Sequence, residues 1–318
     1  MRKQLLHWTV FLFIFLFAFG TVDNPWATRY LQDLKQDSLP VANEKNPLYS
    51  KIQKAAKQYK EPAIDARIDQ VWKAIPGYDG LKVDVAASYQ KMRKSEGGYD
   101  KDELVFREIS PDVHLNDLPP APIFKGNPHK PMVGLMVNVA WGNEYIPKML
   151  KIMEQEDVHA TFFLDGSWVK KNPDLAEMIA EEGHEIGNHA YSHPDMKTLS
   201  GTAIQRELQR TNTVIRATLD MTPELFAPPS GSYGPQVVKI ADNLGMKTIM
   251  WTVDTVDWKK PRPQDMVQRV LKSVHAGSLI LMHPTSPSFE GLKTMIHGIR
   301  ERGYQLGTVS TVLSEDRL

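Results

Sequence analysis

Two histidines four positions apart, His189 and His193, lie in the stretch His184-Glu-Ile-Gly-Asn-His-Ala-Tyr-Ser-His193. Four residues is close to one helical turn, so this spacing predicts two imidazoles on one face. Such a pair is half of a site for a divalent metal, zinc above all. Farther along, Asp254-x-x-Asp257-Trp258 follows one apolar run, and His283 follows another, Ser278-Leu-Ile-Leu-Met282. An imidazole at a strand end can hand over a proton near neutral pH, and a carboxylate beside it can orient the ring. Tyr233 and Trp258 are of a type that packs against pyranose faces while hydrogen-bonding hydroxyls at the ring edge. Taken singly, each of these residues also fits a structural role, as a polar loop residue or ordinary packing.

The elements that must bring them together follow from periodicity. Short apolar runs at 133–139, 160–164, 185–188, 225–227, 247–251, 278–282 and 305–309 alternate with amphipathic segments such as 202–219 and 265–274. Repeated strand–helix units predict a parallel sheet, and about seven strands suit an incomplete α/β barrel. In that architecture chemistry sits at the C-terminal ends of strands. His189, Asp254 and His283 all fall at or just past such ends.

The upstream part differs. Residues 46–110 read as a small α+β domain of about 65 residues, near the lower limit for independent stability. It would hold a helix from Pro47, a second from Pro62 with Ile64, Ile68, Val71, Trp72 and Ile75 on its apolar side, and strands at 81–85 and 104–106 separated by Gly97-Gly98. Pro119, Pro120, Pro122, Pro128 and Pro131 mark 111–131 as a semi-rigid linker before a domain at 132–318. At the start, Arg2 and Lys3 precede a solid apolar stretch from Trp8 to Gly20. That is the layout of a secretory signal peptide or an uncleaved membrane anchor over residues 1–22, which predicts export.

Composition narrows the function. The chain has 318 residues, with Lys+Arg and Asp+Glu equal at 38 each, so nothing points to nucleic acid. It contains no cysteine, which excludes disulfides, thiolate metal sites and a cysteine nucleophile.

Residues 132–312 resemble the polysaccharide deacetylase family. The likeness is carried by Ala160-Thr-Phe-Phe-Leu-Asp-Gly, the paired histidines, Pro228-Pro-Ser-Gly-Ser-Tyr233, Asp254-x-x-Asp257-Trp258 and His283, in the family's order. With its N-terminal signal or anchor, the pattern looks most like the sporulation-associated branch. The resemblance implies metal-dependent hydrolysis of acetamido groups on peptidoglycan or chitin-like glycans. His189 and His193 would hold zinc, His283 would protonate the leaving amine, Asp254 would support the proton transfers, and Tyr233 and Trp258 would touch sugar. The family's first motif supplies two adjacent aspartates after strand one, a base and a metal ligand. Registered through Glu144-Tyr-Ile-Pro-Lys-Met-Leu150, those positions fall on Asn138 and Val139, and the family's arginine falls on Ala227. An amide is not a base and valine offers no donor to a cation.

Three readings stand open at this stage: an exported deacetylase with an altered metal site, a non-catalytic glycan binder or scaffold in cell-wall or spore-cortex assembly, and a membrane-anchored structural protein.

Overall fold

A computed structural model describes residues 46–95 and 98–317. The N-terminal signal or anchor, the spacer to residue 45 and Gly97 lie outside the described residues. No helix among the described residues is long and apolar enough to cross a membrane.

The described chain divides into two compact units, one of 46–61 and 81–107 and one of 62–80 and 108–317. In the first, helix α1 (Pro47–Gln58) starts at Asn46, whose side chain accepts from the Leu48 N–H, and carries proline in its first turn. Its apolar side, Ile52 and Ala55, packs with Val83, Tyr89, Met92 and Leu104.

The segment 62–80 corrects the sequence reading. Ile64, Ile68, Val71 and Trp72 suggest a helical stripe, but the chain forms a hairpin of β1 (Arg67–Asp69) and β2 (Lys73–Ile75). The Asp69 side chain accepts from the Val71 and Trp72 N–H groups, and Lys73 takes a positive φ of 60°. That local turn outcompetes the helix, and Ile68, Val71 and Trp72 remain exposed. Beyond it, β3 (Gly80–Val83) pairs with β4 (Phe106–Ile109), and helix α2 (Val85–Lys94), capped by Asp84, was not foreseen between them.

The large unit is an α/β half-barrel. Its strands are β5 (Met132–Val139), β6 (Thr161–Leu164), β7 (Glu185–Asn188), β8 (Leu225–Phe226), β9 (Lys247–Thr248), β10 (Val253–Asp254), β11 (Leu279–Met282) and β12 (Gln305–Gly307). They form a curled parallel sheet in the order β10-β11-β5-β6-β7-β8-β9, with β12 joined to the start of β5. Helices pack outside, including α3 (Ile146–Gln155), α4 (Gly166–Lys171), α5 (Pro173–Glu181), α6 (Gly201–Leu219), α7 (Pro235–Asn243), α8 (Pro263–Ser273), α9 (Ser286–Arg300) and α10 (Val309–Leu313). Alternation along β5 splits its side chains. Val133, Leu135, Val137 and Val139 face the helices, whereas Met136 joins the inner cluster with Phe163, Leu281 and Ala227.

The sheet path leaves β9 and β10 as its edges. Residues 121–127 close that gap: Ile123 bridges Ile249 on one side and Lys125 bridges Ser278 on the other. Ile123, Lys125 and Asn127 are buried. The proline-rich stretch read as a semi-rigid linker here supplies a fitted seam at 121–127, and the β1–β2 hairpin extends it through Lys73 and Ile123.

Candidate functional site

The C-terminal ends of β5, β7, β10 and β11, with the loop after β8, surround a cleft of about 430 Å³. Its lining includes Asn138, Ala140, Trp141, His189, His193 and Ser230. Trp251, Asp254, Trp258, Leu281 and His283 complete it. A larger groove of about 760 Å³ runs along α6 on the outside of the barrel and gathers no such set of residues.

The two histidines meet in this cleft, but not on a helix. β7 ends at Asn188, and His189–His193 form a loop in which Ala190 and His193 both have positive φ, 60° and 54°. Asn188 pins the loop's start, donating to the Leu208 carbonyl and to Asn212 Oδ1 of α6 and accepting from the Ala190 N–H. Glu207 accepts from the Tyr191 and Ser192 N–H groups at 3.0 and 2.8 Å. The ring centres of His189 and His193 stand 5.2 Å apart at 70°. His189 Nδ1 lies 2.7 Å from the Ala227 carbonyl oxygen. A carbonyl only accepts, so Nδ1 carries the proton and Nε2 keeps a lone pair. Burial, helped by His193, pushes the His189 pKa down to about 3, so the ring is neutral.

On the opposite wall, His283 is held by Asp257 rather than by Asp254. Asp257 is wholly buried. One of its oxygens faces His283 Nδ1 at 2.8 Å; the other accepts from the His283 N–H at 2.6 Å, Ser288 Oγ at 2.5 Å and Thr285 Oγ1 at 3.2 Å. Burial by itself pushes the carboxyl up, but the His283 contact and the other donors outweigh it and hold the pKa below the ordinary value. The turn that delivers Asp257 is tight. Asp254 Oδ1 accepts from the Val256 N–H, and Val256 has a φ of 52°, costly for a β-branched residue. Asp254 thus lines the cleft and shapes this turn, while Asp257 supports the histidine.

Trp141 lies against His283, ring centres 5.7 Å apart and planes within 11°. Gly142 makes this possible: its φ is +86°, and a Cβ there would lie 2.0 Å from the Pro284 carbonyl oxygen.

The end of β5 corrects the register read from the sequence. Val139 is 0% exposed and belongs to the helix-facing core with Ile146 and Leu164. It therefore never faced the histidines. The two adjacent residues that follow the strand and both line the cleft are Ala140 and Trp141. The family's two aspartates correspond on this geometry to Ala140 and Trp141, and the loop before Glu144 is shorter than the sequence register assumed. Asn138 does face the cleft, only 3% exposed, and its Oδ1 has no hydrogen-bond partner among the described residues.

Of the residues singled out from sequence, His189, His193, His283, Asp254 and Trp258 share the cleft. Tyr233 does not; it packs with the cluster around Phe226 and meets Phe124 edge-on at 6.3 Å. Trp141 and Trp251 were overlooked. The Ala-Trp-Gly sequence after β5 carried a signal for the first, because glycine there demands a close approach.

The fold family implies a divalent metal at the paired histidines. The residues present bring the two imidazoles of His189 and His193 and the amide of Asn138. No three His, Asp or Glu donor atoms in the cleft lie within 4.8 Å of one another among the described residues. That donor set does not fit a zinc centre with three protein ligands, which takes a third imidazole or a carboxylate. Among the described residues, the cluster of that kind is Asp79, Glu108 and Asp316, which lies outside the cleft.

Comparison with known proteins agrees with this geometry. The family model described as polysaccharide deacetylase matches residues 125–249. The chain is 48% identical to the uncharacterized protein YlxY of Bacillus subtilis, over 100% of this chain and 99% of that one. It is 30% identical to the B. subtilis peptidoglycan-N-acetylmuramic acid deacetylase PdaA, over 61% of this chain and 76% of that one. Among solved structures it is similar to a CE4-family pseudoenzyme of Bacillus anthracis, with 52% identity and a TM-score of 0.81, covering 86% of this chain and 97% of that one. A mutant of that pseudoenzyme is described as having restored enzymatic activity.

Proposed function

The chain belongs to the polysaccharide deacetylase family, and we propose that it binds an amino-sugar glycan of the peptidoglycan or chitin type without hydrolysing it. One observation carries this reading. Ala140 and Trp141 stand where a base and a metal-ligating carboxylate would have to stand, while His189, His193, Asp254 and His283 still line the cleft. Without the base, general-base catalysis worth roughly two to four decades of rate is gone. The retained walls suit recognition: Trp141, Trp251 and Trp258 offer indole surfaces, and Trp141 and Trp258 are 44% and 52% exposed.

A second reading, slow deacetylation, is favoured by the Asp257–His283 pair, which remains built to hold and release a proton. Export and a role in cell-wall or spore-cortex assembly belong to the proposal as well, supported by the N-terminal Arg2-Lys3 and apolar stretch and by the wall-directed names of relatives.

The test combines metal analysis with an acetate assay on peptidoglycan and N-acetylglucosamine oligomers. The proposal expects less than stoichiometric zinc and no acetate from the native chain. Acetate release that disappears in His189→Ala/His193→Ala would establish the enzyme instead.

A further inference from the structure

We infer that the groove along the outer side of α6 binds an acidic peptide, of the kind that peptidoglycan carries on its sugars and chitin lacks. Naming peptidoglycan as the source of that peptide rests on the glycan-binding reading above. Three cations line the groove: Lys170 of α4, and Arg206 and Arg210 of α6. No carboxylate joins them in the lining. None of the three forms an ion pair among the described residues.

The local sequence explains how the charge stays unbalanced. Arg206 and Arg210 are four positions apart, so they share one side of the helix and repel each other, which by itself weakens a helix. Glu207, the carboxylate between them in the chain, is already engaged. It accepts from the Tyr191 and Ser192 N–H groups and from the Ser192 hydroxyl at 3.1 Å. Arg210 is held in place as well as unpaired. Its guanidinium carbon stands 3.7 Å from the centre of the Tyr191 ring, and a stacked guanidinium keeps the N–H donors at its edge for a carboxylate. A face that serves solubility alone intersperses both signs of charge, whereas here the neighbours of the cations are neutral, Gln205 and Gln209 among them. Those two amides can each donate to and accept from a peptide backbone.

Tyr191 joins this groove to the cleft. It lies two residues from His189 and two from His193, and at about 3.8 Å between consecutive Cα atoms its Cα is within about 7.6 Å of either. An extended peptide spans roughly 3.3–3.6 Å per residue, so a short one attached to a sugar in the cleft is long enough to pass Tyr191 and enter the groove.

Calorimetric titration of the full chain tests this with three ligands: a peptidoglycan tetrasaccharide bearing its peptides, the same molecule with its carboxyl groups amidated, and the N-acetylglucosamine tetrasaccharide. The acidic molecule should bind roughly tenfold or more tighter than the other two, with the advantage shrinking as salt rises. Arg206→Glu/Arg210→Glu should remove that advantage, and Arg206→Gln/Arg210→Gln should reduce it, while the plain tetrasaccharide, which has no group for the groove, binds as before. Both pairs are exposed on the helix surface, and an unchanged melting temperature of the variants verifies that they fold. Equal binding of the three ligands would overturn the acidic-peptide site and leave glycan binding intact. An advantage that survives both double variants would place peptide recognition elsewhere and overturn the site too. Peptide-dependent binding that charge reversal abolishes, with no binding of the plain tetrasaccharide, would keep the groove and remove the glycan-binding reading. Absence of binding by all three would remove both.

Discussion

Val139 and Ala140 are neighbours in the chain and face opposite sides of the sheet, and that difference decides how the site can be rebuilt. Val139→Asp would set a carboxylate among Ile146, Leu164 and the other helix-facing residues. An uncompensated buried charge of this kind costs roughly 3–5 kcal/mol. Ala140→Asp and Trp141→Asp instead open toward His189 and His193. We expect Asn138→Asp/Val139→Asp to lower the midpoint of urea unfolding sharply and to gain no zinc. Ala140→Asp/Trp141→Asp should fold and bind close to one zinc per chain, measured by metal analysis after dialysis. The sequence register failed because it assumed a loop of constant length before Glu144. Strand alternation, which was legible, already set Val139 on the same side as Val133, Leu135 and Val137.

Among the elements, the long and periodic ones were legible. All seven expected strands of the barrel are present, and the helix read at 202–219 is found as Gly201–Leu219. The failures were short or locally steered. Strand β10 has two residues, too few for a period to show. The β1–β2 hairpin mimics a helical stripe until Asp69 captures two backbone N–H groups. The paired histidines converge through a loop with positive φ rather than through a helix, a geometry their spacing alone does not reveal. The loop after β5 carries its own prediction. In Gly142→Ala the new methyl meets the Pro284 carbonyl at an unfavourable φ, so stability should fall by roughly 2 kcal/mol or more. Trp141 should leave His283, seen as lost ring-current shifts of the His283 ring protons. An unshifted His283 in a stable variant would show that the loop has slack the structure does not display.

At the scale of the whole molecule, fold, family and cleft location were readable from five short motifs on one strand–helix rhythm. The composition of the cleft was not. Which aspartate serves His283, which residues replace the missing carboxylates, and that 121–127 forms the barrel's seam all depend on contacts between segments far apart in sequence. The resulting picture is a deacetylase-family scaffold that keeps His189, His193 and the Asp257–His283 pair and carries Ala140 and Trp141 at the two positions after β5. Binding that stabilises the folded state raises the melting temperature in proportion to the logarithm of ligand concentration. The decisive measurement is therefore the melting temperature of the native chain, titrated with partially deacetylated peptidoglycan oligomers in excess chelator, with acetate assayed in the same samples. A rise that chelator leaves unchanged, with no acetate formed, is the predicted result. A rise that chelator abolishes, or acetate that accumulates until chelator is added, would contradict it.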